Sequence, residues 1–224
     1  YIPHLYDYIA DTEEDKAYTV MEYIEGESLN QCLRREGRFP QAQVIDWACQ
    51  ILDALIYLHE HHYLHGDIKP SNIMVTKNGD IRLIDFNIAL NLQEKDAVFA
   101  QLSESYASPE HYGSEDPTMR IEVLQDTDSA EETPTKRFRI SDSEKMVRLD
   151  ARSDIYNLGA TLYHLLSGER PAKKAEDVTP LPKEVAAPAV SAILQKAMQP
   201  DPDKRYQTAR EMLADFERLP VTDS

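Results

Sequence analysis

The nine residues LHGDIKPSN, at 64–72, gather several side chains that could do chemistry. They place a carboxylate at Asp67, an ammonium at Lys69 and an amide at Asn72 within one loop-length of chain. Transfer of a phosphoryl group needs an aligned nucleophile, neutralised phosphate charge and bound metal rather than covalent work by the protein. Asp67 is a candidate to orient or accept a hydroxyl proton, Lys69 to meet the phosphate, and Asn72 to supply an oxygen ligand to magnesium.

A second carboxylate for the metal is predicted at Asp85, in the stretch LIDFN. The runs NIMVT (72–76) and DIRLID (80–85) flank an Asn-Gly turn, which is typical of a β-hairpin. Because a hairpin returns the chain to its starting point, Asp85 is expected to lie close to the loop at 64–72. The predicted metal ligands are therefore Asn72 and Asp85.

The amino-terminal half supplies elements that could position this loop. Aromatic and β-branched runs at 5–10 and 17–22 predict a hairpin, and Ser28 is a candidate cap for a short helix after it. Pro40 opens a longer helical pattern that ends before the loop. Its apolar residues recur at spacings of three and four, which predicts one buried face: Val44, Ala48, Ile51, Leu55 and Leu58.

The carboxyl-terminal half is predicted to be helical after an unusual middle segment. Residues 111–150 are first acidic and then basic, with few aromatics, and we expect a mobile insertion there. A helix is predicted at 151–167, stopped by Gly168, and two more at about 184–199 and 206–219.

Composition limits the classes of function. The chain has 224 residues, 42% of them hydrophobic, and a formal net charge of −16. The charge argues against nucleic acid as a partner and favours basic peptides, and no apolar run is long enough to span a bilayer. Two isolated thiols, Cys32 and Cys49, predict a reducing, cytoplasmic location, either free or as the cytoplasmic part of a larger membrane-anchored protein.

In order and spacing, these motifs resemble the eukaryotic-like protein kinases, and most of all the bacterial Hanks-type Ser/Thr kinases. The resemblance covers nearly the whole chain. The matching motifs are the hinge TVMEYIEGESL, the catalytic loop 64–72 with Gly66 in place of the family's Arg, Asp85-Phe86-Asn87 for the DFG element, Ser108-Pro109-Glu110 for the APE element, the helix DARSDIYNLG and the loop DPDKRY.

The resemblance implies an α+β, protein-kinase-like fold. It would be a mainly helical large lobe with residual small-lobe strands and a catalytic hairpin. Residues 1–24 would be a remnant of the small lobe and the hinge, 25–219 the large lobe, and 220–224 a tail. The activity implied is transfer of the γ-phosphate of ATP, with Mg²⁺, to protein hydroxyls, with the oligomeric state left open.

The resemblance also implies a nucleotide site along the hinge. Met21 would be the gatekeeper, the Glu22 carbonyl and the Ile24 amide would face adenine, and Met74 would pack beneath the base. Ser28 belongs to the same set of nucleotide-binding residues.

Ser103 would act on the substrate side. It stands where Ser/Thr kinases carry a hydroxyl that bridges the catalytic Asp67 and Lys69, which favours protein substrates with Ser or Thr hydroxyls over Tyr.

Structural support is implied at three further positions. Asp154 would be a buried anchor that accepts amide hydrogen bonds from the catalytic loop, and Arg205 would pair with Glu110. His65 would pack under Phe86.

Two departures from the family pattern bear on activity. Gly66 replaces the Arg that meets an activation-loop phosphate in the family, and residues 87–102 contain no Ser, Thr or Tyr. We therefore expect a non-RD kinase whose activation does not depend on phosphorylation of that loop. Asn87 replaces the Gly of the DFG element; since Asn tolerates positive φ, the change is compatible with a working site.

The family's Gly-rich loop, strand lysine and partnering glutamate are absent from the sequence, which begins at Tyr1 rather than Met. We expect a piece of a longer kinase that alone transfers phosphate slowly or not at all.

Two alternatives stay open. A small-molecule phosphotransferase would share HGD and IDF, but Lys69, SPE and the RSDIYNLG helix argue against it. A pseudokinase scaffold would bind partners through the insertion and the large lobe.

Overall fold

The structure is a computed structural model. It describes residues 1–11, 16–85, 90–91, 100–103, 106–112, 121–124, 135–140 and 149–220. In chain order its helices and strands are β1 (Leu5–Asp11), β2 (Lys16–Met21), β3 (Gly26–Ser28), α1 (Leu29–Glu36), α2 (Gln41–Glu60), β4 (Tyr63–Leu64), β5 (Ile73–Thr76), β6 (Ile81–Leu83), β7 (Leu90–Asn91), β8 (Ala100–Ser103), β9 (Ile121–Leu124), β10 (Thr135–Ile140), α3 (Ala151–Ser167), α4 (Pro188–Ala197) and α5 (Ala209–Glu217).

The amino-terminal hairpin forms as predicted. Strands β1 and β2 pair antiparallel, with Tyr8 opposite Thr19 and Ala10 opposite Ala17. The chain then enters β3 and α1. Ser28 caps α1 with a capping box, in which its hydroxyl accepts from the Gln31 amide and the Gln31 side chain reaches back to the Ser28 amide.

Helix α2 carries the first side of the hydrophobic core. It begins after Pro40, as predicted, and its apolar face is buried against α3, α5 and the hairpin β5–β6. Trp47 is 2% exposed and donates its indole N–H to the carbonyl of Gly79 at 3.1 Å, which ties α2 to the turn of that hairpin. The hairpin itself places Ile73 opposite Leu83.

Helix α3 packs against α2 and carries the second side of the hydrophobic core. It ends at Gly168, which adopts the left-handed conformation with φ 78°, as the sequence predicted. Helices α4 and α5 pack on it but are shorter than predicted, because Pro188 stands in the first turn of α4 and Thr208 caps α5. The predicted α+β fold class is confirmed.

Part of the segment 111–150 lies outside the described residues. Within it the structure describes β9 and β10, which form a three-stranded sheet with β8 in the order β8-β10-β9. Thr135 of β10 lies opposite Ser103 of β8. Among the helices that the structure describes, none has the length and apolar character needed to cross a membrane.

Candidate active site

The catalytic loop is anchored to α3 through Asp154, as the resemblance implied. One carboxylate oxygen, Oδ2, accepts from the His65 amide at 2.9 Å and from Nε2 of His59 at 2.9 Å. The other, Oδ1, accepts from the Gly66 amide at 2.8 Å. Asp154 is fully buried, and burial by itself would raise its pKa. The hydrogen bond and charge of His59, with the hydrogen bond from the Gly66 amide, outweigh burial and lower the pKa of Asp154 below its usual value.

The backbone conformation explains why position 66 is a glycine, which the sequence alone did not reveal. Its φ is 79°, in the left-handed region where only glycine is free of a Cβ penalty. In that conformation the Gly66 amide points at Asp154 Oδ1. The backbone geometry of the loop therefore favours glycine at this position, independently of any role in activation.

The three predicted catalytic-loop side chains converge. Lys69 Nζ lies 2.8 Å from Asp67 Oδ2, and Asn72 Nδ2 donates to the same oxygen at 3.1 Å. Asn72 Nδ2 also donates to the Asp67 carbonyl at 2.9 Å. Asp67 is 5% exposed and Lys69 9% exposed. Two donors on one oxygen fix the orientation of the carboxylate, which is what a group that must meet a hydroxyl requires.

His65 couples this cluster to the residue before Asp85. Its Nδ1 accepts from the Asp67 amide at 3.3 Å, so the ring proton resides on Nε2, which donates to the Ile84 carbonyl at 3.0 Å. Asp85 itself has φ 65°. His65 is fully buried and thus supports the site from beneath. Its predicted partner Phe86 lies outside the described residues, as does Asn87.

A backbone hydrogen bond connects the segments that carry the two predicted metal ligands, Asn72 and Asp85. The Ile84 amide donates to the Asn72 carbonyl at 2.9 Å, which brings the neighbouring Asp85 back to the catalytic loop, as the hairpin pattern predicted. Because the amide nitrogen of Asn72 is bound to Asp67, its oxygen Oδ1 is the atom available to a cation. An amide oxygen and a carboxylate suit Mg²⁺, which keeps waters and phosphate oxygens as its remaining ligands.

The predicted nucleotide-binding residues flank the strand β3. Met21 ends β2, and Glu22 and Ile24 follow it, all of them partly exposed. Ser28 and Met74 are Cα partners across β3 and β5. The Ser28 hydroxyl takes part in the cap of α1. The contacts of these residues with adenine stay a prediction.

The predicted ion pair between Arg205 and Glu110 is confirmed. Arg205 donates to both carboxylate oxygens, at 2.6 and 2.8 Å, and its other donors reach the carbonyls of Gln199 and Pro200. Ser153 also donates to Glu110 at 2.8 Å. Burial opposes ionisation of Glu110, but the Arg205 hydrogen bonds and charge outweigh it and lower its pKa to about 2.

A group on α3 was missed by the sequence analysis. Tyr106 Oη lies 2.6 Å from His164 Nδ1, and Asn157 Nδ2 donates to the Tyr106 carbonyl at 2.5 Å. Thr161 Oγ1 donates to the Ile68 carbonyl at 3.2 Å. The sequence did contain a signal for this group, because Asn157, Thr161 and His164 are polar residues at i, i+4 and i+7 on a mostly apolar helix.

Ser103 is the remaining predicted catalytic residue. It is the last residue of β8, three positions before Tyr106. Its bridge to Asp67 and Lys69 stays a prediction.

Comparison with known proteins agrees with this architecture. The family described as "Protein kinase domain" matches residues 1–123. The chain is 30% identical to the serine/threonine-protein kinase PknB of Mycolicibacterium smegmatis, over 90% of this chain and 30% of that protein. It is 31% identical to a probable serine/threonine-protein kinase of Streptomyces coelicolor, over 93% of this chain and 30% of that protein.

A buried Asp–Lys–Asn cluster, anchored on a central helix beside a hairpin carboxylate, is typical of a protein kinase domain. The chain belongs to the protein kinase domain family, and its likeness to the bacterial Hanks-type serine/threonine kinases is confirmed. It spans about 30% of the length of these curated relatives.

Proposed function

We propose that the protein transfers the γ-phosphate of ATP to Ser or Thr hydroxyls of protein substrates, with Mg²⁺. The observation that carries this proposal is the convergence of Lys69 and Asn72 on one carboxylate oxygen of the buried Asp67. Phosphoryl transfer depends on positioning and on electrostatic stabilisation, and this buried cluster can supply both.

Each side chain then has a distinct role. Asp67 orients the attacking hydroxyl and takes its proton as the bond to phosphorus forms. Lys69 holds the Asp67 carboxylate in place and offsets negative charge on the phosphate in transfer. Asn72 Oδ1 and the Asp85 carboxylate would hold Mg²⁺, which supplies charge neutralisation at the phosphate oxygens. Met21, Glu22, Ile24, Ser28 and Met74 would form the adenine side of the site, which is a separate part of the proposal.

We further propose that this activity does not depend on phosphorylation of the activation loop, the segment between Asp85 and Ser108. Gly66 carries no cation to bind such a phosphate, and residues 87–102 have no hydroxyl to accept one. Treatment with a phosphatase is therefore expected to leave the activity unchanged. A loss of activity that is restored by a phosphate at Ser103 or Ser105 would refute this part of the proposal.

The direct test is transfer of labelled phosphate from ATP to a generic protein substrate. It is run with the 224-residue chain and with the complete gene product that contains it, at several Mg²⁺ concentrations. The control is Asp67→Asn, which keeps the size of the side chain and its contact with Asn72. Mg²⁺-dependent labelling of Ser or Thr that the control abolishes supports the proposal.

Two other results would replace it. Labelling of an aminoglycoside or choline but of no protein would indicate a small-molecule phosphotransferase. No labelling of either, together with unchanged behaviour of Asp67→Asn in every assay, would indicate a scaffold without chemistry.

A further inference from the structure

One face of α3 holds two parts of the site at neighbouring positions. Thr161 is bound to the carbonyl of Ile68 in the catalytic loop, and Asn157 is bound to the carbonyl of Tyr106. His164 follows Thr161 by three residues, which is about 4.5 Å along a helix axis. The Tyr106–His164 pair therefore lies within one helical turn of the catalytic loop.

The protonation states of Tyr106 and His164 leave one N–H group of the histidine that does not face the tyrosine. Tyr106 is 4% exposed, and burial raises its pKa to about 12, so its hydroxyl keeps its proton. Burial, followed by the charge of Arg170, lowers the pKa of His164 to about 4, so the ring is neutral at pH 7. The Tyr106 hydroxyl then donates to Nδ1, and the ring proton resides on Nε2 as a donor.

A cation lies over the Tyr106 ring of this pair. Arg170 follows the last residue of α3 by three positions, is exposed, and holds its guanidinium carbon 5.9 Å from the centroid of the Tyr106 ring. Among the residues that the structure describes, no carboxylate forms an ion pair with Arg170. The charge of Arg170 therefore acts on both members of the pair, since it lies over the Tyr106 ring and also lowers the pKa of His164.

Near Arg170, the catalytic loop has no carboxylate other than Asp67 that could bind a basic side chain of a substrate. Within 64–72 the only carboxylate is that of Asp67, which is bound to Lys69 and Asn72. The side chain at 71 is a serine, whose hydroxyl contacts Asn72 at 3.3 Å. Local charge thus contrasts with the net charge of −16, which by itself favours basic partners.

We infer that Arg170 and the Nε2–H group of His164 form a subsite for an acidic side chain of the peptide substrate. The inference rests on the proposed function, since the peptide is its phosphate acceptor. Three residues of extended peptide span about 10 Å, so the acidic residue is sought within three positions of the acceptor hydroxyl. A carboxylate there receives one charge-assisted hydrogen bond from each donor.

The test compares peptides that differ at a single position. Fluorescent peptides with one Ser acceptor carry Asp, Asn or Lys at each place from three residues before to three residues after it. Binding to the 224-residue chain is measured by fluorescence anisotropy, so the result does not depend on phosphate transfer. At the best position Asp is expected to bind about fivefold more tightly than Asn, and Lys more weakly than Asn.

Three variants assign this preference to the subsite. Arg170→Glu is expected to invert the order, so that the Lys peptide binds best. Lys183→Glu is the matched control: it makes the same change in charge at another exposed position and is expected to keep the Asp preference. Tyr106→Phe removes the hydroxyl that fixes the tautomer of His164, and about a twofold loss of the preference is expected.

The results separate this inference from the proposed function. Equal or undetectable binding of all peptides overturns the inference, as does an Asp preference that survives Arg170→Glu or disappears equally in Lys183→Glu. An unchanged preference in Tyr106→Phe removes His164 from the subsite. If the preference follows Arg170 while the complete gene product transfers no phosphate, the subsite stands and the proposed function fails.

Discussion

Replacing Glu110 by Gln removes a buried ion pair that joins segment 106–112 to the end of the large lobe. The Arg205 side chain is fully buried and that of Glu110 is 16% exposed, so solvent screens the pair weakly. The pKa of Glu110 falls from its usual 4.5 to about 2 in the folded protein. At 1.36 kcal/mol for each pKa unit, this corresponds to about 3 kcal/mol of stability at neutral pH.

The same pKa values set the pH dependence. A carboxylate whose pKa is lowered by folding contributes its stability above the unfolded pKa, and that contribution is lost as pH falls toward the folded pKa. Glu110→Gln cannot titrate. The difference in unfolding free energy between the unmodified protein and the variant is therefore expected to be constant from pH 7 to 6 and to shrink by about 1.4 kcal/mol by pH 3.5.

Urea unfolding followed by tryptophan fluorescence measures this difference. Trp47 is the only tryptophan and is 2% exposed, so its emission reports the opening of the core. Glu60→Gln is the control, because it breaks an ion pair with Arg210 that is mostly exposed, and its unfolding midpoint is expected to stay nearly unchanged. A cost below about 1 kcal/mol for Glu110→Gln, or a difference that does not shrink with falling pH, would refute the reasoning.

Three more outcomes are expected. Asp67→Asn should abolish phosphate transfer but retain binding of labelled ATP; lost ATP binding with retained transfer would contradict its role. Asp85→Asn should weaken ATP binding at low Mg²⁺, and the binding should recover at high Mg²⁺. Equal weakening in the absence of Mg²⁺ would exclude Asp85 as a metal ligand. Gly26→Ala places a Cβ 2.0 Å from the Val75 carbonyl oxygen, so thermal unfolding by circular dichroism should occur several degrees lower; an unchanged midpoint would contradict the tight β3–β5 contact.

Local patterns predicted the scaffold well. The hairpins, the start of α2 after Pro40 and the stop of α3 at Gly168 all depend on residues within a few positions of each other. The gathering of Asp67, Lys69 and Asn72 was predictable for the same reason, since they share one loop. Turn chemistry and hydrophobic periodicity act over such short ranges.

Contacts between distant segments were predictable only through family likeness or not at all. The pair of Arg205 and Glu110 spans 95 positions and followed from two motifs of the family. The bond between His59 and Asp154, also 95 positions apart, had no such motif and was missed. The role of His164 was missed likewise, because the partner of a buried polar side chain is set by helix packing, and the sequence of one helix does not encode it.

The carboxylate of Asp154 also sets how the catalytic loop moves. It accepts hydrogen bonds from the amides of His65 and Gly66 at the place where α2, α3 and the loop meet. The side chains of His65 and Asp154 have no exposed surface there. Exchange of the two amide protons with deuterium requires α3 to separate from the loop, and that opens the hydrophobic core. The two amides should therefore exchange with the free energy of global unfolding, so that the catalytic loop opens no more readily than the core itself.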